Sequence, residues 1–577
     1  MITEASEYRP AANPGLRVAA DGSLLRTVLV GSALVFMLVS IWALMHRYRG
    51  VTGDAELYAV QALSRIDPSL TKDFYLQGGS QDRYTIFSPF YAVVISLFGI
   101  RDAALGLTVL FTVWFLVAAW FLAKQLTERR AAWLAVAALV MLTGRYGGYG
   151  VFHYLEVFLT ARSLAEALIL TALALHFAGL RRAALLLAAG TLFVHPLMAF
   201  PGLLLLICLW LPGLYAAAAM AAGVIAAALI GLLPRFLPPS VPFFTVMDPP
   251  WLEVVHERSQ FLFLQIWKVA DWKLNARGFV SLAFTALAIP DPRIRKLCGA
   301  AALVGAAGLL VALIASTLSP VAILLQGQAW RWMWITTCIA ILLLPVTVWR
   351  VYRNEQCGPL CALMIVCSWT FTPVDTLLGI GLVALLWMVR KHISAQMAQF
   401  LRIIALALAM VALLWIIGNA WTIATASSPE VGRESLWASR LRNIMGLDIS
   451  AVLLFGLFWY WMGRLRSVWV AGALAAALAG VAAWVLPGTF LQGGYPADPR
   501  EIASFESWRA VIPPGTDVFV VSKGISTAMV WFDLQRPSYL STDQSAGVVF
   551  SRATALEVRR RADVVAPVID PTWRAGT

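Results

Sequence analysis

The sequence predicts an all-α polytopic membrane protein with a small C-terminal extracytoplasmic α/β domain. Three observations carry this. Hydrophobic residues fill 60% of the 577 positions and charged residues only 13%, giving a mean hydropathy of +0.77. Many apolar runs approach the ~20 residues that cross a bilayer, and lipid-exposed backbone must satisfy its own hydrogen bonds within helices. Lys and Arg fall in short gaps between those runs, as cytoplasmic loops do. The run spacing predicts about 13–15 transmembrane helices. The net charge of +13 belongs to the same gaps, so it gives no reason to expect nucleic acid.

Residues 1–24 are polar, carry Arg9 and Arg17, and read as a cytoplasmic tail. The transmembrane part covers 25–490. Its first apolar run, 25–45, is too long for a signal-peptide core and no small-residue cleavage site follows, so it reads as a retained helix. The first outer loop covers 46–102. Two runs, 85–99 and 103–123, compete for one crossing before the basic gap from Lys124 to Arg130. The first run is short and contains Pro89. It is therefore assigned to the interface or to a re-entrant piece, and the second crosses. Further basic gaps at Arg181-Arg182, Arg293 to Lys296, Arg350 to Arg353, Arg390 to His392 and Arg464 to Arg466 are predicted inside. The long outer loops are then 144–162, 234–276, 317–329 and 419–448.

Residues 491–577 are polar enough for a soluble domain outside the membrane. Pro513-Pro514-Gly515 predicts a turn before a strand over Asp517 to Ser522, with a second short strand over Ser538 to Ser541 and a helix over 552–561. The six cysteines all lie in or beside apolar segments and suggest no disulfide framework; Cys357 and Cys361 read as packing residues.

The candidate chemistry begins at Gly53-Asp54-Ala55-Glu56-Leu57-Tyr58. From Ala55 the apolar residues share one arc, which predicts a membrane-surface helix ending near Asp67-Pro68 with Asp54 at its N-cap. Capping alone would account for an Asp there. The crowding of Asp54, Glu56, Tyr58, Asp73, Asp82 and Arg83 beside the membrane points instead to chemistry. In the second outer loop, His153 and Glu156 are three apart, predicting a shared helix face that contacts acceptor or phosphate. The rival reading is an interfacial belt of aromatic residues and paired charges. Two such residues are too few for a metal site. Arg331 stands between Trp330 and Trp332. It reads as a phosphate clamp, against a snorkelling cation. His256-Glu257-Arg258 and Asp271-Trp272-Lys273 lie in an outer loop read either as a lid over a lipid groove or, the better reading of any one of these residues, as a solvated loop with salt bridges. No phosphate-binding loop, His-Glu-x-x-His or Gly-x-Ser-x-Gly motif is present.

A first helix followed by an outer loop opening on Asp54-x-Glu56-x-Tyr58, then interfacial helices and the gap Lys124-x4-Arg129-Arg130, resembles the GT-C superfamily of integral-membrane glycosyltransferases. That superfamily includes protein O-mannosyltransferases and lipid A aminoarabinose transferases. The resemblance implies a polyprenyl-phosphate-linked sugar donor and a glycan, lipid or protein acceptor. It makes Asp54 the essential first-loop acid facing the acceptor, with Glu56 beside it. On this reading Arg331, with Arg83 or Arg162, stabilises the leaving phosphate, and Tyr58, His153 and Glu156 contact substrate. The sequence has no Asp-rich second-loop motif of the metal-dependent kind, so no metal ligands are assigned and a divalent cation stays open as a cofactor. The expected location is a bacterial inner membrane, with the C-terminal domain outside. Nucleotide sugars are cytoplasmic, so an outward-facing site needs its activated sugar on a lipid. Two rivals are a transporter or flippase, which would need ionisable groups at the bilayer midplane, and a non-catalytic subunit of an envelope-glycan assembly complex.

Overall fold

The computed structural model describes residues 21–46, 48–236, 245–370, 375–425, 468–485, 499–521 and 528–569, with 444, 456 and 458 as isolated positions. The predicted tail up to residue 20, the gap from Arg464 to Arg466, Ser522 and most of the loop 419–448 lie outside the described residues.

Helix α1 (Asp21–Met45) leads into α2 (Asp54–Leu63), and α3 follows as Phe87–Leu126. Forty helical residues would extend about 60 Å, twice the hydrocarbon thickness. Gly99 divides α3: its φ of 77° and ψ of 165° break the helix and suit glycine alone. The arm before Gly99 and the longer rod after it correspond to the two runs in the sequence. Pro89 does not interrupt the arm. It lies in the first turn, where amides have no intrahelical acceptor to lose.

The chain then turns back and forth. Helix α4 (Arg129–Met141) is followed by a two-stranded antiparallel ribbon, β1 (Arg145–Tyr146) and β2 (Phe152–His153). Next come α5 (Ala161–Phe177), α6 (Arg181–Thr191), α7 (Pro196–Trp210), α8 (Gly213–Leu232), α9 (Pro249–Arg258) and α10 (Val269–Ala288). The series continues with α11 (Pro292–Thr317), α12 (Ala322–Gln326), α13 (Met333–Tyr352), α14 (Gly358–Thr370), α15 (Thr376–Val389) and α16 (Ala395–Thr425). Most connections are a few residues long, which makes successive helices antiparallel neighbours. Among the described residues, six helical stretches are long and apolar enough to cross a membrane: 25–45, 87–126, 213–232, 292–317, 322–352 and 395–425. The chain is therefore a polytopic, mainly helical membrane protein.

The two ends of the bundle differ chemically. At one end the basic gaps meet: Arg293 at the start of α11 donates to the Gln125 carbonyl at the end of α3 (3.2 Å), and Arg402 donates to the Glu355 carbonyl (2.8 Å). The opposite end gathers the starts of α2, α5, α7, α10 and α13 together with the ribbon. All the carboxylates singled out in the first two outer loops lie at that end.

The C-terminal part departs from the predicted α/β unit. Among its described residues the two expected strands reduce to one parallel bridge, Val518 with Ser538. The helical pieces are Pro499–Val511 and Arg552–Ile569 with two short ones between them, joined by turns and irregular chain. Arg561 claims the strand flanks instead, pairing with Asp517 (2.8 Å) and donating to the Tyr539 carbonyl (2.7 Å). This segment lies against the stretch between α2 and α3. Asp73 is fully buried there. It accepts from Trp531 Nε1 (2.8 Å), the Ser538 amide (2.9 Å) and Gln544 Nε2 (2.9 Å).

Candidate active site at the start of helix α2

Gly53 rather than Asp54 is the cap of α2. Its φ of 55° leaves Asp54 as the first helical residue, with no side-chain capping bond. The expectation of an N-cap aspartate is corrected here. A glycine turns the chain where other residues are strained, so the carboxylate is free to reach across the bundle. It meets Arg162 Nη1 at 2.7 Å. Helix α2 also ends at Leu63, short of Asp67-Pro68, and does not lie on a membrane surface. Every residue from Ala55 to Leu63 is buried. The polar arc is covered by protein: Gln61 donates to Tyr75 Oη (2.8 Å) and accepts from Ser88 (3.3 Å).

Arg162 is buried at the start of α5 and joins two carboxylates. Besides Asp54 it binds Glu156 through Nη2 (2.7 Å) and Nε (2.8 Å), and Thr160 Oγ1 completes Glu156 at 2.5 Å. One cation between two anions leaves the group short of positive charge. Arg331 supplies it nearby. Its guanidinium lies 4.0 Å from the Phe152 ring centroid, and that of Arg162 lies 5.0 Å from the same ring. Such stacking holds cations while leaving their donors available. Arg331 Nε donates to Gln328 Oε1 (2.7 Å), whose backbone is left-handed with φ of 42°. Arg331 Nη1 is buried without a partner. Arg331 is only 7% exposed, so the snorkelling reading fails.

The residues His153 and Glu156 do not share a helix face. His153 ends β2 and its Nδ1 faces the Tyr154 carbonyl (3.0 Å), while Glu156 points to Arg162. Tyr146 and Tyr154 of this loop are buried, while Tyr149 and Val151 at its tip are exposed. Its turn depends on glycines. A Cβ at Gly147 would approach the Trp330 ring to 2.4 Å, and one at Gly148 would approach Trp267 to 2.5 Å. Asn275 of α10 grips Gly147 at both its amide (2.9 Å) and carbonyl (3.0 Å), and Asp271 takes the Tyr149 amide (2.9 Å). Asp271 thus braces this turn, while Lys273 pairs with Asp375 at 2.5 Å. Arg258, at the end of α9, donates to Ser545 Oγ (2.6 Å) and so ties the same outer loop to the C-terminal segment.

Two cavities meet at Asp54, and two more adjoin them. A chamber of about 150 Å³ is bordered by Asp54, Tyr58, Gln61, Arg162, Arg258 and Arg331, and roofed by Ala546, Val549 and Phe550. On one side, across Asp54, Phe152 and Arg162, lies a cavity of about 650 Å³ that adds Arg49, Arg145 and His153. Its wall residue Leu142 also borders an apolar groove of about 620 Å³ between α4, α13 and α14. On the other side, across Tyr58, Gln81 and His195, lies a cavity of about 360 Å³.

Protonation follows from this packing. Desolvation alone would raise the Asp54 carboxyl, but the Arg162 guanidinium holds it below its ordinary value. It is ionised at neutral pH. Tyr58 is pushed up to about 12, mainly by burial, so its hydroxyl stays neutral. Glu56 faces away from Arg162, toward Asp543 of the C-terminal segment. Burial, and then the nearby Asp543 charge, push it up to about 9.

The structure thus brings Asp54, Tyr58, Arg162, Glu156 and Arg331 together. His153 lines only the wider cavity. Arg83 is exposed in the 360 Å³ cavity and does not reach Asp54. Glu56 is adjacent in sequence but not in the chamber. Sequence reasoning missed Phe152, Gln61 and Gln328. Among the described residues no three His, Cys, Asp or Glu side chains gather as a metal site. No protein-family model matches this chain, and no curated protein or solved structure is significantly similar to it.

Proposed function

We propose that this chain is a membrane-embedded glycosyltransferase that moves a sugar from a polyprenyl-phosphate donor to an acceptor hydroxyl at the outer membrane face. The observation that carries the reading is the ionised Asp54 carboxylate set between cavities, opposite the unpartnered Nη1 of Arg331. A general base must be ionised and within reach of the proton it takes. Asp54 takes the acceptor hydroxyl proton. The acceptor oxygen then bonds to the sugar anomeric carbon as the bond from that carbon to the phosphate oxygen breaks. The bonding pair leaves with the phosphate. Arg331 and Arg162 stabilise it, since preorganised donors are worth most in a water-poor site. The lipid stem leaves through the wider cavity toward the apolar groove at Leu142.

The C-terminal segment closes the chamber as its roof. Among the described residues six helices are long and apolar enough to cross and three shorter apolar ones accompany them, fewer than the 13–15 crossings expected. The basic-gap end is then cytoplasmic, and the site faces outward, as a lipid-linked donor requires. Among the described residues ionisable groups are sparse along the helix middles, Arg277 of α10 being an exception, and this weighs against a carrier, because transporters bind their cargo near the midplane.

The test is transfer from a polyprenyl-phosphate sugar in membranes holding wild-type or Asp54→Asn protein. Transfer by the wild type and loss in the variant are expected. Undiminished transfer by Asp54→Asn would remove the base, and no transfer by the wild type from any such donor would remove the activity.

A further inference from the structure

The 360 Å³ cavity on the far side of Tyr58 differs in chemistry from the one across Asp54. It lies between the first outer loop and the start of α7, and it has an open mouth. Its volume is within the range of small-molecule sites. Tyr84 stands at its rim, 74% exposed, an aromatic ring that the fold leaves bare. Gln77 and Gln81 line it, together with the hydroxyls of Thr71 and Ser80. Gln77 uses one amide hydrogen on the Lys72 carbonyl (3.0 Å) and keeps its carbonyl oxygen. Asp82 is already paired with Arg65 (2.6 Å), yet its Oδ1 is buried without a partner. Among the described residues Arg83 is the one Lys or Arg lining this cavity, whereas the cavity across Asp54 gathers Arg49, Arg145 and Arg162.

An amide offers donor and acceptor side by side, as vicinal hydroxyls require, and a carboxylate oxygen accepts from a hydroxyl. An exposed aromatic face covers the C–H face of a sugar ring. A phosphate needs cations that are largely missing here. We infer that this cavity binds the acceptor, and that the acceptor presents a neutral sugar there. Tyr84 stacks the ring, Gln77, Gln81 and Asp82 hold its hydroxyls, and one hydroxyl passes between Tyr58 and Phe550 toward Asp54. This inference rests on the transferase reading for the word acceptor, but the binding of a neutral sugar does not depend on turnover.

Saturation-transfer NMR on the full chain in nanodiscs tests it, using methyl glucoside, methyl mannoside, methyl N-acetylglucosaminide and methyl glucuronide as probes. Ring-proton signals from at least one neutral glycoside are expected with wild type and with Asp54→Asn. They should fall at least threefold in Tyr84→Ala and in Gln81→Ala. Tyr84 is exposed, so its removal leaves the fold intact, and circular dichroism checks that. No signal from any neutral probe, or signals equal in wild type and Tyr84→Ala, would overturn the site. A tenfold preference for the glucuronide would overturn its neutrality. Loss of transfer activity in Asp54→Asn bears only on the base, so the two readings fail separately.

Discussion

Asp54 and Asp73 come from the same stretch between α1 and α3 and are both held by hydrogen bonds, yet they are built for opposite ends. Asp73 has no exposed surface and is surrounded by neutral donors: an indole, two amides of the backbone and a glutamine. Burial pushes its carboxyl up against those donors. Asp54 has one charged partner, and 37% of its side chain remains exposed to the cavities. The first acid is saturated, so it can only hold structure. The second keeps an oxygen facing open space, so it can accept a proton. Full satisfaction therefore separates a latch from a candidate base more clearly than burial or sequence position does.

The sharpest way to break this comparison is to neutralise each acid in turn. Asp54→Asn is expected to lower transfer by roughly 10²–10⁴-fold, the range for removing a general base. Its melting temperature should change little, because Arg162 keeps Glu156 as a partner. Asp73→Ala should do the reverse. It strands three donors from the C-terminal segment, each costing about 1–3 kcal/mol when left buried and unpaired. Limited proteolysis should then cut within 528–550, with activity falling only as the roof is lost. If Asp73→Ala is proteolytically silent, the latch assignment fails.

Arg331 gives the next largest effect. Arg331→Gln removes a donor from the chamber without removing a carboxylate's only partner, since Asp54 and Glu156 stay with Arg162. A loss of roughly 10²–10³-fold in kcat is expected for one stabilising donor, with acceptor KM nearly unchanged. Arg162→Gln should behave differently: it leaves two carboxylates without their cation, costing about 3–5 kcal/mol of stability. Comparable kinetics with equal melting temperatures in the two variants would mean that the cations are not divided in this way.

Much of the site is legible in the sequence, and the reasons it is not all legible are physical. The carboxylates and arginines of the cluster stand out because charge is rare in so apolar a chain. Their partners do not. Phe152 looks like any loop aromatic, yet it is the ring over which Arg162 and Arg331 meet. Gln328 matters through a left-handed backbone that no side-chain pattern announces. The Gly53-Asp54 pair offers two N-caps, and nothing local decides that glycine takes the position. The surface-helix reading of α2 failed for a related reason. Its polar arc was matched to solvent, whereas Gln61 finds Tyr75 and Ser88 and Glu56 is buried toward Asp543. The strands expected over 517–522 and 538–541 do meet, at Val518 and Ser538, and among the described residues they form that one bridge without a sheet.

Glu56 gives the smallest effect and joins the two regions compared. It sits two residues from the candidate base but faces Asp543 of the segment that Asp73 latches, and burial raises it to about 9. A carboxyl raised in the folded state binds its proton more tightly there than when the segment is undocked. Docking is therefore fully supported below the ordinary carboxylate range, and that support is lost as pH climbs to about 9. Above it, Glu56 and Asp543 repel as two anions. Hydrogen exchange of residues 528–550 should accordingly speed up between pH 6 and pH 9 beyond the intrinsic rise, and Glu56→Gln should remove most of the excess. Asp54 lies below its ordinary value, so it stays ionised across that whole window. A fall in transfer between pH 6 and pH 9 that vanishes in Glu56→Gln would thus report the roof opening, not the base titrating. An unchanged pH profile in Glu56→Gln would place Glu56 outside the docking equilibrium.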